Sequence, residues 1–251
     1  MNDRMATALP TVAVLAGGLA TRLGEATRQI PKCLLDLDGE PFLLHQARLL
    51  AERGVRRIVV CAGHLGDQVQ EAAARLPWPT GLHVAVVRDG PRLLGTAGAV
   101  RRALPVLGDP FFVLYGDSYL PCDYRAVLDA FVRGGRPALM TVYRNEGRWE
   151  SSNVQLEGSR LIRYDKENRT PAMKHLDYGL GVFRARVFEA LPEGEPADLA
   201  RVYARLLAGG MLDAYEVHER FYEVGSIAGL DELRQELTRR AAQARRERVS
   251  P

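Results

Sequence analysis

Leu15, Ala16, Gly17 and Gly18, followed at short range by Thr21, Arg22 and the pair Pro31-Lys32, are the residues of this chain best suited to chemistry. They come directly after an apolar run at 11–15 that reads as a buried strand. A strand ending in glycines gives a turn whose backbone N–H groups can approach a phosphate with no Cβ in the way. Arg22 adds a planar fork of donors for phosphate oxygens, and Lys32 a second, more mobile cation. The combination reads as a cradle for a triphosphate. Two better-known phosphate loops fit less well. A dinucleotide-binding turn needs a third glycine in register, and a Walker loop needs Gly-Lys-Ser/Thr, and neither is present. The plain alternative is a glycine-rich surface turn.

The opening motif resembles that of the sugar-phosphate nucleotidylyltransferases, G-G-x-G-T-R followed after a long loop by P-K, with Ala20 standing where a further glycine is usual. That resemblance implies roles for later motifs in the same order. Leu94-Gly95-Thr96-Ala97-Gly98-Ala99 resembles the nucleobase loop, so Gly95, Thr96 and Gly98 are expected against the base, with Asp89 as the candidate reader of its edge. A carboxylate there would accept from guanine N1–H and N2–H₂ and also from uracil or thymine N3–H; GTP is the favoured nucleotide. Gly116-Asp117 closes an apolar run and resembles the family's metal-binding Gly-Asp, where Mg²⁺ would take one or two carboxylates plus phosphate oxygens. Phe221-Tyr222-Glu223-Val224-Gly225-Ser226 stands where the second metal carboxylate is usual, with Glu223 replacing aspartate. Tyr164-Asp165-Lys166 resembles the aromatic-x-Glu-Lys motif whose lysine holds the sugar's phosphate. Asp177 and Gly179 occupy the place of the Asn-Ala-Gly sugar loop, and Asn153 is expected to face the same pocket. Lysine usage points the same way. Of 34 basic residues only Lys32, Lys166 and Lys174 are lysine, and two of these fall on expected phosphate contacts.

These residues need a scaffold. Apolar runs at 11–15, 57–62, 83–87 and 111–115 read as strands, and 41–53, 66–75 and 96–104 carry the three- and four-residue spacing of helices. Such alternation implies a parallel sheet with helices on both faces, binding ligands at the carboxyl ends of its strands. A helix is expected over 124–132, then strands at 138–143, 153–156, 161–164, 177–183 and 212–217, with 153–164 forming a hairpin through Glu157-Gly158-Ser159. A last helix runs from 228 to about 246. The expected fold is α/β: a mixed, mostly parallel sheet between helices, Rossmann-like, with a small β-hairpin sugar-binding subregion. One catalytic domain over 1–251 is the simplest division, with a nucleotide half at 11–122, an acceptor half at 123–227 and a terminal helix at 228–251.

Composition sets outer bounds. At 251 residues, 47% hydrophobic and 26% charged, the chain is an ordinary globular sequence, and its net charge of +3 does not suggest nucleic acid as a partner. No apolar run is long enough to span a bilayer and no signal-peptide pattern opens the chain, so no membrane partner is expected. Cys33, Cys61 and Cys122 suggest neither a disulfide framework nor a zinc site, and a reducing cytoplasm is the expected location. The five histidines show no ligand spacing. The resemblance implies that an NTP and a sugar 1-phosphate give an NDP-sugar and pyrophosphate, with Mg²⁺ as cofactor. Arg22, Lys32 and Lys166 are then the catalytic cations, Asp117 and Glu223 the metal ligands. The chain looks most like the compact mannose- and heptose-1-phosphate guanylyltransferases. Uridylyl or cytidylyl transfer, phosphocholine as acceptor, and a catalytically silent ligand-binding relative stay open, as does a homo-oligomer. A glycosyltransferase would want Asp-x-Asp where this chain has Asp117-Ser118-Tyr119.

Overall fold

The computed structural model describes residues 8–18, 29–149 and 151–249. The chain opens with β1 (Val12–Leu15), a 3-10 turn at Lys32–Leu34, a small ladder of β2 (Asp36–Leu37) and β3 (Glu40–Pro41), and α1 (Phe42–Glu52). Strand and helix then alternate: β4 (Arg57–Ala62), α2 (Gly66–Arg75), β5 (His83–Arg88), α3 (Gly95–Leu107) and β6 (Phe111–Tyr115). After β7 (Ser118–Tyr119) and α4 (Tyr124–Gly134) come four strands, β8 (Ala138–Arg144), β9 (Val154–Glu157), β10 (Arg160–Tyr164) and β11 (His175–Phe183). The chain closes through α5 (Arg186–Glu189), α6 (Leu199–Ala208), β12 (Leu212–Val217), β13 (Tyr222–Glu223) and α7 (Ile227–Val249).

Nine of the strands form one sheet, in the order β10-β9-β11-β6-β1-β4-β5, with β8 beside β11 and β12 beside β8. β6, β1, β4 and β5 are all parallel, and β11 runs antiparallel to β6. β6, β1 and β4 are buried on both faces, which is why they read as unbroken apolar runs rather than alternating ones, while β5 at the edge is half-buried. On β1, Val12 and Val14 enter one core while Ala13 and Leu15 enter the other. The first core takes α1, α2 and α4, for example Leu43, Val69 and Phe131; the second takes α3, α5 and α6, for example Val100, Phe188 and Tyr203. α7 packs Leu233 into a third, smaller cluster with Phe42, Tyr119 and Val224.

The predicted elements are present with shifted ends. The ends that shift furthest are those of α3, expected to stop before Pro105 but continuing to Leu107, and α7, expected to end near 246 but continuing to Val249. A proline this close to a helix end removes a single ladder bond, and burying Leu107 holds the last turn. The hairpin of β9 and β10 closes where expected, with Arg160 opposite Glu157. The chain runs outward from β1 to β4 and β5, then returns to place β6 on β1's other side. The order therefore reverses between β1 and β6, and their carboxyl ends meet with Leu15 opposite Tyr115. In open α/β sheets this reversal is where a crevice opens for ligands.

Candidate active site

A cavity of about 270 Å³ occupies that crevice. The chain leaving β1 supplies Leu15, Ala16, Gly17 and Gly18 to one wall, and the end of β6 supplies Tyr115, Gly116 and Asp117 to another. Asp89, Gly95 and Thr96 close the end nearest α3, while Lys32 enters from the 3-10 turn. Thr21 and Arg22 lie outside the described residues. Cys33 and Cys61 also reach the cavity, but burial pushes both thiols up to about 12, which leaves them as packing rather than nucleophiles.

At the α3 end, Asp89 is 6% exposed and its Oδ2 accepts the Leu94 N–H at 2.9 Å. Burial raises its pKa, with the Leu94 N–H and the more distant Arg102 opposing. The loop it anchors is gripped from behind. Ala97 and Gly98 donate to the Ala197 carbonyl at 2.9 and 3.3 Å, Ala197 donates to Leu94 at 2.8 Å, and Leu199 donates to Thr96 Oγ1 at 2.7 Å. Thr96 lines the cavity while its hydroxyl pins the start of α6. Gly95 has φ +68°, and a Cβ there would sit 2.7 Å from the Ala197 oxygen. Gly98, expected against the base, has a packing task. It is not in the cavity wall, and a Cβ on it would lie 2.8 Å from the Glu195 oxygen, so its smallness lets the clamping segment approach.

At the phosphate end, Lys32 Nζ donates to Asp117 Oδ2 at 3.0 Å, both side chains being mostly buried. Asp117 and Glu223, far apart in sequence, meet through a two-stranded ladder. Glu223 on β13 pairs with Ser118 on β7, and Val224 N–H donates to the Asp117 carbonyl at 2.9 Å. Buried Gln46 on α1 steadies this turn, its amide donating to the carbonyls of Tyr115 and Ser118 at 3.1 and 2.7 Å. The Asp117 carboxylate lines the cavity and Glu223 lines the neighbouring one. A hard carboxylate beside a phosphate-sized cavity suits Mg²⁺, which takes few protein ligands and completes its shell with phosphate and water.

Tyr115 joins this cavity to the second half of the site. Lys166 Nζ lies 5.5 Å from the Tyr115 ring centroid, 5.9 Å from that of Tyr164, and 3.7 Å from Asp177 Oδ2. Burial, then the charges of Asp177, Asp198, Asp117 and Glu223, hold the Tyr115 phenol well above its ordinary pKa, so it stays a neutral hydroxyl.

Three of the four expected sugar-site residues, Asp177, Asn153 and Asp165, have other engagements. Asp177, 4% exposed at its side chain, accepts the Tyr164 hydroxyl at 3.1 Å and the Gly179 N–H at 3.1 Å, and it braces Lys166. Asn153 Oδ1 accepts the Asp177 N–H at 2.9 Å, which fixes the strand carrying that brace. Asp165 turns into its own loop, accepting Asn168 and Glu167 N–H groups that lower its pKa, and it meets Arg163 at 3.3 Å. Gly179 sits where β11 shifts register between Asp177 and Gly181, beside the Tyr115 ring. Asp198 and Gln46 were not legible as site residues. The only sequence signal at Asp198 is an acid ahead of a helix, which its capping bond to the Ala200 N–H fully explains.

A crevice at the switch point, with Lys32 paired to Asp117 in it and Lys166 over the ring of Tyr115, defines a Rossmann-like α/β protein with a charged cleft. The chain belongs to the MobA-like NTP transferase domain family, whose pattern matches residues 12–241. It is 23% identical over 217 residues to mannose-1-phosphate guanylyltransferase catalytic subunit beta of Xenopus tropicalis, covering 84% of this chain and 60% of that one. It is 26% identical over 168 residues to glucose-1-phosphate cytidylyltransferase of Salmonella typhi, covering 57% of this chain and 63% of that one. The chain thus spans about 60% of the length of the curated relatives it matches. HddC from Yersinia pseudotuberculosis in complex with GMP-PN shares the fold, with a TM-score of 0.78 at 20% identity, covering 91% of this chain and all of that one. Among the described residues no helix is long and apolar enough to cross a membrane.

Proposed function

We propose that this chain transfers a nucleotidyl group from an NTP, with GTP favoured, to a sugar 1-phosphate, releasing pyrophosphate. The observation that carries this reading is the place of Lys166 over the ring of Tyr115, a residue that itself lines the cavity. A base-sized end at Asp89 and a phosphate end at Lys32 and Asp117 lead on to a second braced cation, Lys166, of the kind an acceptor phosphate needs. An oxygen of the acceptor phosphate bonds to the α-phosphorus, and the bond from that phosphorus to the pyrophosphate oxygen breaks. The acceptor is already anionic near neutral pH, so alignment and charge neutralisation do the work of catalysis and no general base is required.

Each residue has a task in that reading. Lys32 offsets charge around the α-phosphate, Arg22 and the Gly17-Gly18 turn hold the outer phosphates, and Lys166 steers the acceptor phosphate. Asp177 and Asn153 act through Lys166 by fixing its position. Asp117 and Glu223 would hold Mg²⁺, which supplies Lewis-acid charge stabilisation when bound. Asp89 would accept from the guanine edge with the oxygen not committed to Leu94.

The test is pyrophosphate release, crossing ATP, GTP, CTP, UTP and dTTP with a panel of sugar 1-phosphates and phosphocholine, with Asp117→Ala as control. Release that needs GTP, a sugar 1-phosphate and Asp117 is expected. Binding of NTP with no release across the panel would instead favour a silent ligand-binding relative.

A further inference from the structure

Glu223 also borders a second cavity, of about 210 Å³, outside the nucleotide cleft. At its centre is a cation the proposed reaction does not use. The guanidinium carbon of Arg220 lies 3.6 Å from the centroid of the Trp149 ring and 4.9 Å from that of Tyr222, and the same guanidinium donates to Glu232. Gly225, Ser226 and Gly229, at the start of α7, complete the wall. Trp149 is held from its backbone, its N–H donating at 3.0 Å to Oδ1 of the buried Asn145, while the indole stays 47% exposed. Two aromatic faces and a carboxylate around a cation is the arrangement by which proteins recognise alkylammonium groups. In this chain the cage holds its own guanidinium.

The cage adjoins the cleft through Glu223, whose strand pairs with Ser118 beside Asp117, two residues beyond the Tyr115 ring that Lys166 overlies. We infer that Arg220 is a specificity-determining residue, filling an aromatic cage beside the acceptor site so that phosphorylated acceptors ending in a quaternary ammonium are excluded and uncharged polyhydroxylated ones are admitted. The inference rests on the nucleotidylyltransferase reading and narrows its acceptor to the polyol class. A planar, weakly hydrated guanidinium suits the role, because it lies over both rings. A second cation entering this space would meet like charge and would have to displace Arg220 from Trp149, Tyr222 and Glu232 together.

The test separates binding from turnover. In a Trp78→Phe background, where Trp149 is the sole tryptophan, tetramethylammonium binding is followed by tryptophan emission and by calorimetry. Arg220→Met fills the volume without the charge, and Arg220→Gln keeps a planar head group without it, so either can carry the test if the other loses its far-UV circular dichroism. Removing the charge is expected to tighten tetramethylammonium binding about tenfold or more, while Arg220→Lys stays like wild type. Phosphocholine turnover relative to sugar 1-phosphate should rise in step. Wild-type protein that binds tetramethylammonium as well as the variants do, folded variants that gain nothing, or wild-type turnover of phosphocholine at the sugar rate would each overturn the inference. The binding arm needs no catalysis, so silence in every turnover assay would count against the proposed reaction and leave the cage readable.

Discussion

Lys32 and Asp117 hold each other at 3.0 Å, yet the proposed reaction needs the lysine on a phosphate and the carboxylate on a cation. In that reaction the pair would be a placeholder, each group keeping the other's charge compensated until substrate arrives. Nucleotide phosphates should draw Lys32 away and leave Asp117 open to a divalent ion. Mn²⁺, followed by its paramagnetic resonance, is expected to bind wild-type protein weakly without nucleotide and more tightly with a non-hydrolysable one. Lys32→Met should bind Mn²⁺ about tenfold more tightly in the absence of nucleotide. The same variant should lose about two to three orders of magnitude in transfer rate. Unchanged Mn²⁺ affinity in Lys32→Met would remove the placeholder role. Asp89 carries a different conflict. Its buried carboxyl has a raised pKa, so ionised Asp89 costs stability at neutral pH, and that cost fades as pH falls through its folded pKa. In the proposed reading, guanine recognition would run the opposite way, because the ionised carboxylate is the form that accepts from both guanine donors. Asp89→Asn keeps an acceptor for Leu94 and removes the charge. It should match or exceed wild type in thermal stability while discrimination of GTP over ATP falls about 10- to 100-fold, measured as a ratio of binding constants. Equal discrimination in the variant would take Asp89 out of base reading.

Segment 195–199 and the loop at 94–98 behave as one element, joined by the bonds to Ala197 and the Leu199–Thr96 contact. Their closeness depends on Gly98. Gly98→Ala would place a methyl 2.8 Å from the Glu195 oxygen and push the clamp off the loop. A destabilisation of about 1–3 kcal/mol is expected, with a raised KM for NTP and an unchanged KM for the acceptor. A rise in both constants would mean that the clamp serves the whole cleft and not its base end. The same region shows what a sequence can and cannot disclose. The parallel half was legible because strands buried on both faces are apolar throughout, and because each helix carries its own period. Lys32, Asp117 and Lys166 were legible because motif order places them at the ends of such strands and turns. The two-residue ladder of β7 and β13 was not, since so short a pairing has no period, and it is what brings Glu223 to Asp117. Nor did the motif containing Asp165 reveal which acid turns inward. Backbone N–H groups of residues 167 and 168 capture Asp165, leaving the brace on Lys166 to Asp177.

Across the whole molecule, the two halves of the proposed reaction share one sheet. β11 pairs with β6 of the nucleotide half and with β8 and β9 of the acceptor half, and α3 packs against α5 and α6. Tyr115, at the end of β6, feels carboxylates carried on β11, on the cap of α6 and on β13. A sheet continuous through both halves leaves no natural seam, so they should unfold together as one cooperative unit. The chain carries its own reporters, because one of its two tryptophans lies in each half. Trp78 packs against the first core and donates to the Ala73 carbonyl at 2.9 Å, while Trp149 stacks on Arg220. Single-tryptophan proteins made by Trp78→Phe and Trp149→Phe should therefore give coincident transitions in urea. A non-hydrolysable nucleotide touching mainly the first half should raise both midpoints equally, corresponding to about 2.7 kcal/mol at a hundredfold excess over Kd. Two transitions, or a shift seen only through Trp78, would divide the molecule into separately stable halves. Binding at the nucleotide cavity would then have no thermodynamic route to the acceptor side.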